Sequence, residues 1–588
     1  MDRDPIVAGA AKRCQRGKRR AAAGAIGLTV LAGIVACAAP SNTSGPAPQA
    51  SPAVAAPQIV LADVAAAIPD VVSSGGTPMP APLTSVERQQ LAAFYADAND
   101  APQWIDASAR PSDEARAALR VLSGASVDAL DPADYAADAL ATQADALGAA
   151  TPATDLAAFD VGLSASLLRY LRHLHTGRVD PRAIGFRMTT PADGPDVVAA
   201  LRSALASHRV ADAAAELAPP LVLYRSLRSA LARYRALAAS TPDPVFTASA
   251  VVKPGDEYVD APVLRRHLIA LGDLPPAAPA PATPNTYDEA LVDGVKHFQM
   301  RHGLEPDGVI GRTTHAALRV PLAQRVRQIE LALERLRWLP HLSPDGFIGV
   351  NVPMFHLWVW DAIPPNGAPA FGMNVIVGRA LNTQTPVFVE EMRYVIFRPY
   401  WNVPASITRG EMLPAFRRDP SYFARHDLEI VDGPGDDARP VAVSDASIAL
   451  LQQGRLRVRQ RPGPSNSLGL VKFVFPNDEN VYLHGTPAPE LFKRTRRDFS
   501  HGCVRVEDPV ALAQWVLKGR PEWTRDRIVA AMQAPRPQRV DLPKPLQVIL
   551  FYVTAVVMPE DGTVHFADDI YGHDAKLDRA LMSQAVVR

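Results

Sequence analysis

The stretch YLHGTPAPELFKRTRRDFSHGCVRV, residues 482 to 506, holds Cys503, one of three cysteines in 588 residues. The other two, Cys14 and Cys37, lie in an N-terminal segment with the marks of a targeting signal. Removal of that segment would leave Cys503 as the sole thiol of the folded part. A thiol attacks as its thiolate, and a free cysteine of pKa about 8.5 is mostly protonated at neutral pH. A nucleophilic cysteine therefore needs a base, positive surroundings or oriented backbone donors. His484 ends an apolar, strand-like run that begins at Asn480, and His501 lies two residues before the cysteine. Arg494, Arg496, Arg497 and Arg505 add positive potential nearby. Gly502 permits a sharp turn, so the amides of Gly502 and Cys503 can point at a developing oxyanion. A lone cysteine is more often a small buried hydrophobe, but polar neighbours on both sides, Ser500-His501-Gly502 and Arg505, argue against an apolar niche.

The ordered pair His484-Gly485 and then Ser500-His501-Gly502-Cys503-Val504-Arg505 resembles the signature of the YkuD-type L,D-transpeptidases of bacterial cell walls. The resemblance implies Cys503 as nucleophile and His484 as general base, with the Gly485 carbonyl orienting the imidazole. It implies that His501, Gly502 and the Cys503 amide shape the oxyanion pocket. Ser500, Tyr482 and Arg505 would face substrate, Arg505 by bracing the loop or meeting a carboxylate; a purely structural role for His501 is the competing reading.

Toward the N-terminus, a basic run from Lys12 to Arg20 precedes an uncharged apolar stretch, Ala21 to Ala39. This is the pattern of a secretory signal (1–39) rather than of a fold. Ile34-Val35-Ala36-Cys37 also fits a lipoprotein cleavage box, which would anchor Cys37 to a membrane through lipid. Ordinary cleavage near Ala36 to Ala39 and an uncleaved anchor are the alternatives. The expected location is the periplasm, and a single unpaired thiol in an exported chain flags a reactive cysteine. Residues 40–82, rich in Ala, Pro, Ser and Gly, read as a flexible tether.

Residues 83–250 repeat apolar positions at helical spacing, as in Asp160 to Tyr170. Pro102-Gln103-Trp104 and Leu174 to Pro181 resemble the scaffold domain of the large L,D-transpeptidases. His173, His175 and the scattered carboxylates read as solvated helix faces, with no metal-ligand spacing among them. Residues 256–320 resemble the three-helix peptidoglycan-binding domain through Phe298-Gln299, His302-Gly303-Leu304 and Asp307 to Gly311, interrupted between Asp273 and Thr286. That module either grips glycan or simply positions the catalytic part. Residues 321–341 hold an amphipathic helix, with Leu322, Val326, Ile329, Leu333 and Leu336 on one face, that reads as a strut between modules.

From Asp345 the texture turns to short β-branched and aromatic runs bounded by Gly, Pro and Asn. The catalytic domain is expected at 345–541, mostly β, with a capping insertion at about 402–466 over the substrate groove. Tyr400, Trp401 and Asn402 sit at the base of the cap, placed to line that groove. Residues 542–588 read as a final strand pair completing the β domain. The whole is a multidomain α+β chain.

The charges balance, 61 Lys and Arg against 61 Asp and Glu, so there is no electrostatic case for nucleic acid. The resemblance implies peptidoglycan stem peptides and glycan as partners, no metal or cofactor, and acylation by carbapenems. The reaction implied is acyl transfer through a cysteine thioester, linking two diamino-acid residues directly. Water as acceptor would make an L,D-carboxypeptidase, and a lipoprotein lysine an anchoring enzyme. A non-catalytic wall-binding scaffold leaves Cys503 and His484 unexplained; a papain-type peptidase needs the opposite Cys-then-His order.

Overall fold

The structure, a computed structural model, describes residues 61–74, 82–188, 196–278, 283–339, 342–362, 368–379 and 383–586. The signal at 1–39, with Cys14 and Cys37, and the tether as far as residue 60 lie outside the described residues. The rest of the tether is corrected in part. Leu61–Ser74 is a helix whose Val64 and Ile68 are fully buried. Those two positions, four apart, fall on one helix face, which packs on the long helix Ala153–Thr176.

That long helix is the axis of the helical part, buried without interruption from Phe159 to Leu171. A helix covered on all sides must satisfy its polar groups internally. Asp160 accepts hydrogen bonds from Tyr95 Oη (2.7 Å), Gln103 N (3.0 Å) and Trp104 N (2.7 Å), which fastens the Pro102-Gln103-Trp104 segment. Glu87 likewise pairs with Arg169 (2.7 Å) and Arg172 (2.6 Å). His173 bonds Tyr135 Oη (3.1 Å) and His175 bonds the Leu217 carbonyl (3.1 Å). For His173, His175, Asp160 and Glu87 the expectation of solvated faces is therefore corrected, since each ties the helical segments to one another.

The three-helix unit comprises Ala261–Leu271, Glu289–Arg301 and Arg312–Leu318. Gln299 knots its last turn, donating to Asp307 Oδ1 (2.9 Å), Val309 O (3.0 Å) and Thr314 Oγ1 (3.2 Å) and accepting from Gly308 N (2.8 Å). His302 stacks between Phe298 and Phe566, and Arg301 reaches Tyr234 (3.2 Å), so this unit is welded to both the helical part and the C-terminal tail.

The helix Leu322–Leu336 is more than a strut. Ile329 and Ala332 to Leu336 are all buried, and the helix packs against Val222–Ser240 on one side and the final helix His573–Val586 on another. Glu334 accepts from the amides of Arg178 (2.5 Å) and Val179 (3.0 Å) and pairs with Arg337 (2.8 Å). Gly177 makes that approach possible. Its φ is +81°, and a Cβ there would lie 2.6 Å from Trp338 Nε1.

The β part has strands β1 (Phe347–Asn351), β2 (His356–Trp360), β3 (Phe371–Gly378), β4 (Phe388–Phe397), β5 (Trp401–Asn402), β6 (Leu428–Asp432), β7 (Arg439–Val441), β8 (Arg457–Gln460), β9 (Val471–Val474), β10 (Leu483–His484), β11 (Asp498–Ser500), β12 (Val504–Val506), β13 (Gln538–Phe551), β14 (Ala555–Val557) and β15 (Val564–Phe566). The main sheet runs β11-β3-β12-β10-β9-β4-β13-β1-β2, and β2 pairs again with β3. The sheet thus closes on itself, which hides its edges. Its interior is the apolar set Val350, Leu357, Val375, Val395, Phe473, Leu483, Val504 and their neighbours.

Two expectations about this region change. β13 lies between β4 and β1 in the middle of the sheet, so the boundary at 541 cuts a central strand. The tail beyond it is not a pair completing the sheet: β14 and β15 pair only with each other, pack on the helical part, and lead into the helix His573–Val586. Apolar alternation marks a strand but not which surface it covers. The capping insertion is a small domain, with sheet order β5-β8-β6-β7 and its own core of Val403, Met412, Leu413, Phe423, Ile430 and Val458.

Replacing Glu334 by Ala orphans two amides and takes the carboxylate from the buried Arg337, which keeps only Tyr224 Oη and the Asp128 carbonyl as partners. A loss of about 3–5 kcal/mol is expected for breaking such a buried pair, read by urea denaturation followed through tryptophan fluorescence. A loss below about 0.5 kcal/mol, the ordinary scatter of surface changes, would refute the keystone role of this helix.

Candidate active site

Strand alternation and register assemble the site. Residues two apart share a face, so Tyr482 and His484 point away from the core face that Leu483 supplies. β10 pairs in parallel with β12, Leu483 opposite Val504 and His484 opposite Arg505. Leu483 and Val504 are fully buried, which sends Cys503 and Arg505 to the same outer face as Tyr482 and His484. β9 runs antiparallel on the other side of β10, with Lys472 opposite His484.

His484 is buried, and its Nδ1 lies 2.6 Å from the Gly485 carbonyl. A carbonyl can only accept, so Nδ1 carries the proton and Nε2 keeps its lone pair. Burial, and then the Arg505 cation, push the imidazole down to about 3; the Gly485 bond opposes them and Lys472 adds to them. The ring is therefore neutral at physiological pH, the form a general base requires.

Cys503 is half-buried, its thiol 3.6 Å from the Asn480 carbonyl. Burial pushes the thiol up, while Tyr482 and the cations Lys472 and Arg505 draw it back. The resting pair is a neutral thiol beside a neutral imidazole.

Loop 500–503 is built around Ser500. Its Oγ donates to the Cys503 carbonyl (2.6 Å) and accepts from the Gly502 amide (3.2 Å). Gly502 has φ +113°, a region that disfavours any side chain. The Gly502 amide is thus committed to Ser500, which corrects its expected role as an oxyanion donor; the Cys503 amide has no acceptor among the described residues. The Gly502 carbonyl accepts from Thr385 Oγ1 (2.8 Å), and Thr385 N donates to Tyr571 Oη (3.2 Å).

The cavity in front of Cys503 is about 250 Å³ and lies between the sheet and the cap. Tyr482, His484, Ser500, His501, Cys503 and Arg505 line it from below, and Trp401, Ile407, Glu411, Tyr422 and His426 from the cap side. His501 is exposed, and its Nε2 meets Glu411 Oε1 of the cap at 2.7 Å across this opening. Tyr400 and Asn402 do not line it. Tyr400 lies under the Arg459 guanidinium (4.2 Å to the ring centre), and Asn402 bonds Asp436 (3.1 Å) and Arg457 (3.2 Å). Alternation gives the groove to Trp401 and turns its two neighbours away.

The expected positive surroundings are also redistributed. Arg496 pairs with Asp498 (2.8 Å), and Arg497 is spent on the Val375 and Phe355 carbonyls (3.3 and 3.1 Å). Arg505 keeps a buried Nε without a partner among the described residues and faces the cavity. The residues that sequence reasoning missed are Lys472, Asn480, Thr385, Tyr571 and Glu411. The alternation of Val471-Lys472-Phe473-Val474 was the one signal that singled out a polar residue on the site face. The others depend on chain reversals and long-range packing.

A neutral imidazole and a thiol thus share one face, with a free amide beside the sulfur and a cation at the cavity wall. Residues 345–524 match the L,D-transpeptidase catalytic domain (YkuD), residues 89–231 the Scaffold domain, and residues 260–318 the "Putative peptidoglycan binding domain". The chain is similar to a "Putative L,D-transpeptidase" of Haemophilus influenzae, 32% identical over 262 residues. That match covers 45% of this chain and 51% of the relative, so the chain spans about half the length of the curated relative it matches.

The protonation states have a direct readout. Alkylation of Cys503 in the resting protein, followed by peptide mass spectrometry, is expected to keep climbing with pH above about 8.5, the ordinary thiol value. A rate already level at neutral pH would instead reveal a resting thiolate–imidazolium pair.

Proposed function

We propose that this chain is a peptidoglycan L,D-transpeptidase that works through a thioester on Cys503. The observation that carries this reading is the joint placement of His484 and Cys503 on the outer face of β10 and β12, with Nδ1 of His484 held by Gly485. The catalytic-domain match at residues 345–524 supports the same reaction class.

In this reading the acyl donor is a stem tetrapeptide whose diamino acid is joined to a terminal D-alanine. His484 Nε2 takes the thiol proton as Sγ attacks the diamino-acid carbonyl, because the resting thiol is un-ionised. The Cys503 amide donates to the developing oxyanion. Collapse breaks the C–N bond, D-alanine leaves with the proton returned by His484, and a thioester remains. The side-chain amine of a second stem then attacks the thioester, loses a proton to His484, and the thiolate departs and is reprotonated. Arg505, facing the cavity without a carboxylate of its own, is placed to meet a substrate carboxylate.

The cap over the cavity and the aromatic Trp401 suit a bound peptide. In the same reading the enzyme works in the periplasm on peptidoglycan, and carbapenems acylate the same sulfur.

The test is incubation of wild type and Cys503→Ala with a disaccharide-tetrapeptide, read by mass spectrometry. A cross-linked dimer and an adduct on Cys503 short of one D-alanine, both lost in the variant, are expected. A tripeptide without dimer would mean carboxypeptidase action, and no product from wild type would remove the proposal. His484→Ala is expected to lower the rate by about 10²–10⁴-fold, the usual worth of a general base.

A further inference from the structure

Lys472 is the feature of this site that the chemistry above leaves without a purpose. It lies on β9, an interior strand of the closed sheet, between Ile396 of β4 and His484 of β10. Its side chain is half-buried. Its Nζ sits 3.7 Å from the centre of the Tyr482 ring, close enough for a cation–π contact. Among the described residues no carboxylate lies within salt-bridge distance of that ammonium, and Asp436 acts on it only from farther off. A partly buried cation without a counter-ion costs stability, so its presence on the face shared by the nucleophile and the base calls for a charge that appears only during reaction.

We infer that Lys472 is a positioning residue that supplies the fixed counter-charge for the Cys503 thiolate, acting across the ring of Tyr482, which lines the same cavity as the sulfur. Lys472 neither gives nor takes a proton. The proton leaving Sγ goes to His484 Nε2, and the ammonium stays charged throughout. Without the thiolate its field falls on His484, where it disfavours protonation; with the thiolate formed, the same field stabilises the nucleophile. The electrostatic coupling of Lys472 to both Cys503 and His484 supports this arrangement.

The other groups facing the thiol are few. Tyr482 and His484 come from β10 and Arg505 from β12, while β4 offers the uncharged Ile396. The cap contributes Asp436, which acts on Lys472, together with His426 and Glu411 at the cavity wall; Glu411 is paired with His501. Arg505 is the other cation that draws the thiol down. It faces the open cavity, where a substrate carboxylate would neutralise it, whereas Lys472 stays behind Tyr482 and keeps its charge.

This inference takes Cys503 as the nucleophile, as in the proposed reaction, but its test uses no cell-wall substrate. The pH dependence of iodoacetamide alkylation is measured at the Cys503 peptide of the full-length chain for wild type, Lys472→Met, Lys472→Arg and Tyr482→Phe. Lys472→Met is expected to move the ionisation midpoint up by about one unit, and so to slow alkylation about tenfold at any pH below the midpoint. Lys472→Arg keeps the charge and is expected to restore the wild-type midpoint. Tyr482→Phe retains the ring but loses the polar hydroxyl that draws the thiol down, and is expected to raise the midpoint as well. If Lys472→Met fails to fold, as judged by circular dichroism, Lys472→Gln serves in the same comparison. An unchanged midpoint in a folded neutral variant would overturn the inference and leave Lys472 as packing on Tyr482. A shifted midpoint in a protein that turns over no muropeptide would keep the inference and discard the proposed reaction.

Discussion

The parallel pairing of β10 with β12 is the constraint on which the active site depends. Its register puts Leu483 against Val504 in the core and His484 against Arg505 outside it. A slip of one residue would turn Cys503 and His484 into the apolar interior and bring Leu483 and Val504 to the surface. The hydrophobic set inside the closed sheet therefore fixes where His484 and Cys503 sit. Residues 485 to 503 separate the two strands, yet no direct contact between those two side chains is needed to hold them in place. Pairing to β9 on one side and β3 on the other locks both strands.

The surrounding modules act on that arrangement through polar contacts. Thr385 ties the Gly502 carbonyl to the amide of Gly378, and Tyr571 from the C-terminal tail bonds both Thr385 and the Gly378 carbonyl. The same tail is gripped by the helix Leu322–Leu336, since Gln328 donates to the Thr554 and Ala567 carbonyls at 2.9 Å each. That helix in turn holds the helical part through Glu334. A continuous set of contacts thus runs from the long buried helix to the loop carrying Cys503. From the other side, the exposed pair Glu411–His501 joins the cap to the same loop. Exposed pairs of this kind contribute little stability, so the cap is held more loosely than the tail.

The residue types needed for acyl transfer were legible because they are rare and ordered. One thiol, a histidine at a strand end and a glycine before the cysteine stand out in any reading of 482–506. The strands of the β part were legible for the same local reason, since apolar alternation survives without tertiary context. The helix Leu61–Ser74 was missed because its Ala- and Pro-rich surroundings resemble a linker, although Val64 and Ile68 have helical spacing. The arginines near Cys503 were overvalued, because a count of charges does not say which are consumed by carbonyls and carboxylates. Lys472, twelve residues before His484 in the chain, was overlooked because only the β9–β10 register makes them neighbours.

The sequence by itself therefore determined the chemistry on offer, the helical and β character of its regions and the module order, all of which follow from local composition and spacing. Only the tertiary structure decided which groups meet. It turned Trp401 toward the groove and Tyr400 and Asn402 away, committed the Gly502 amide to Ser500, placed β13 at the centre of the sheet, and set Lys472 behind Tyr482. Each of these depends on strand register or on contacts between residues far apart in the chain, and neither is encoded in a local pattern.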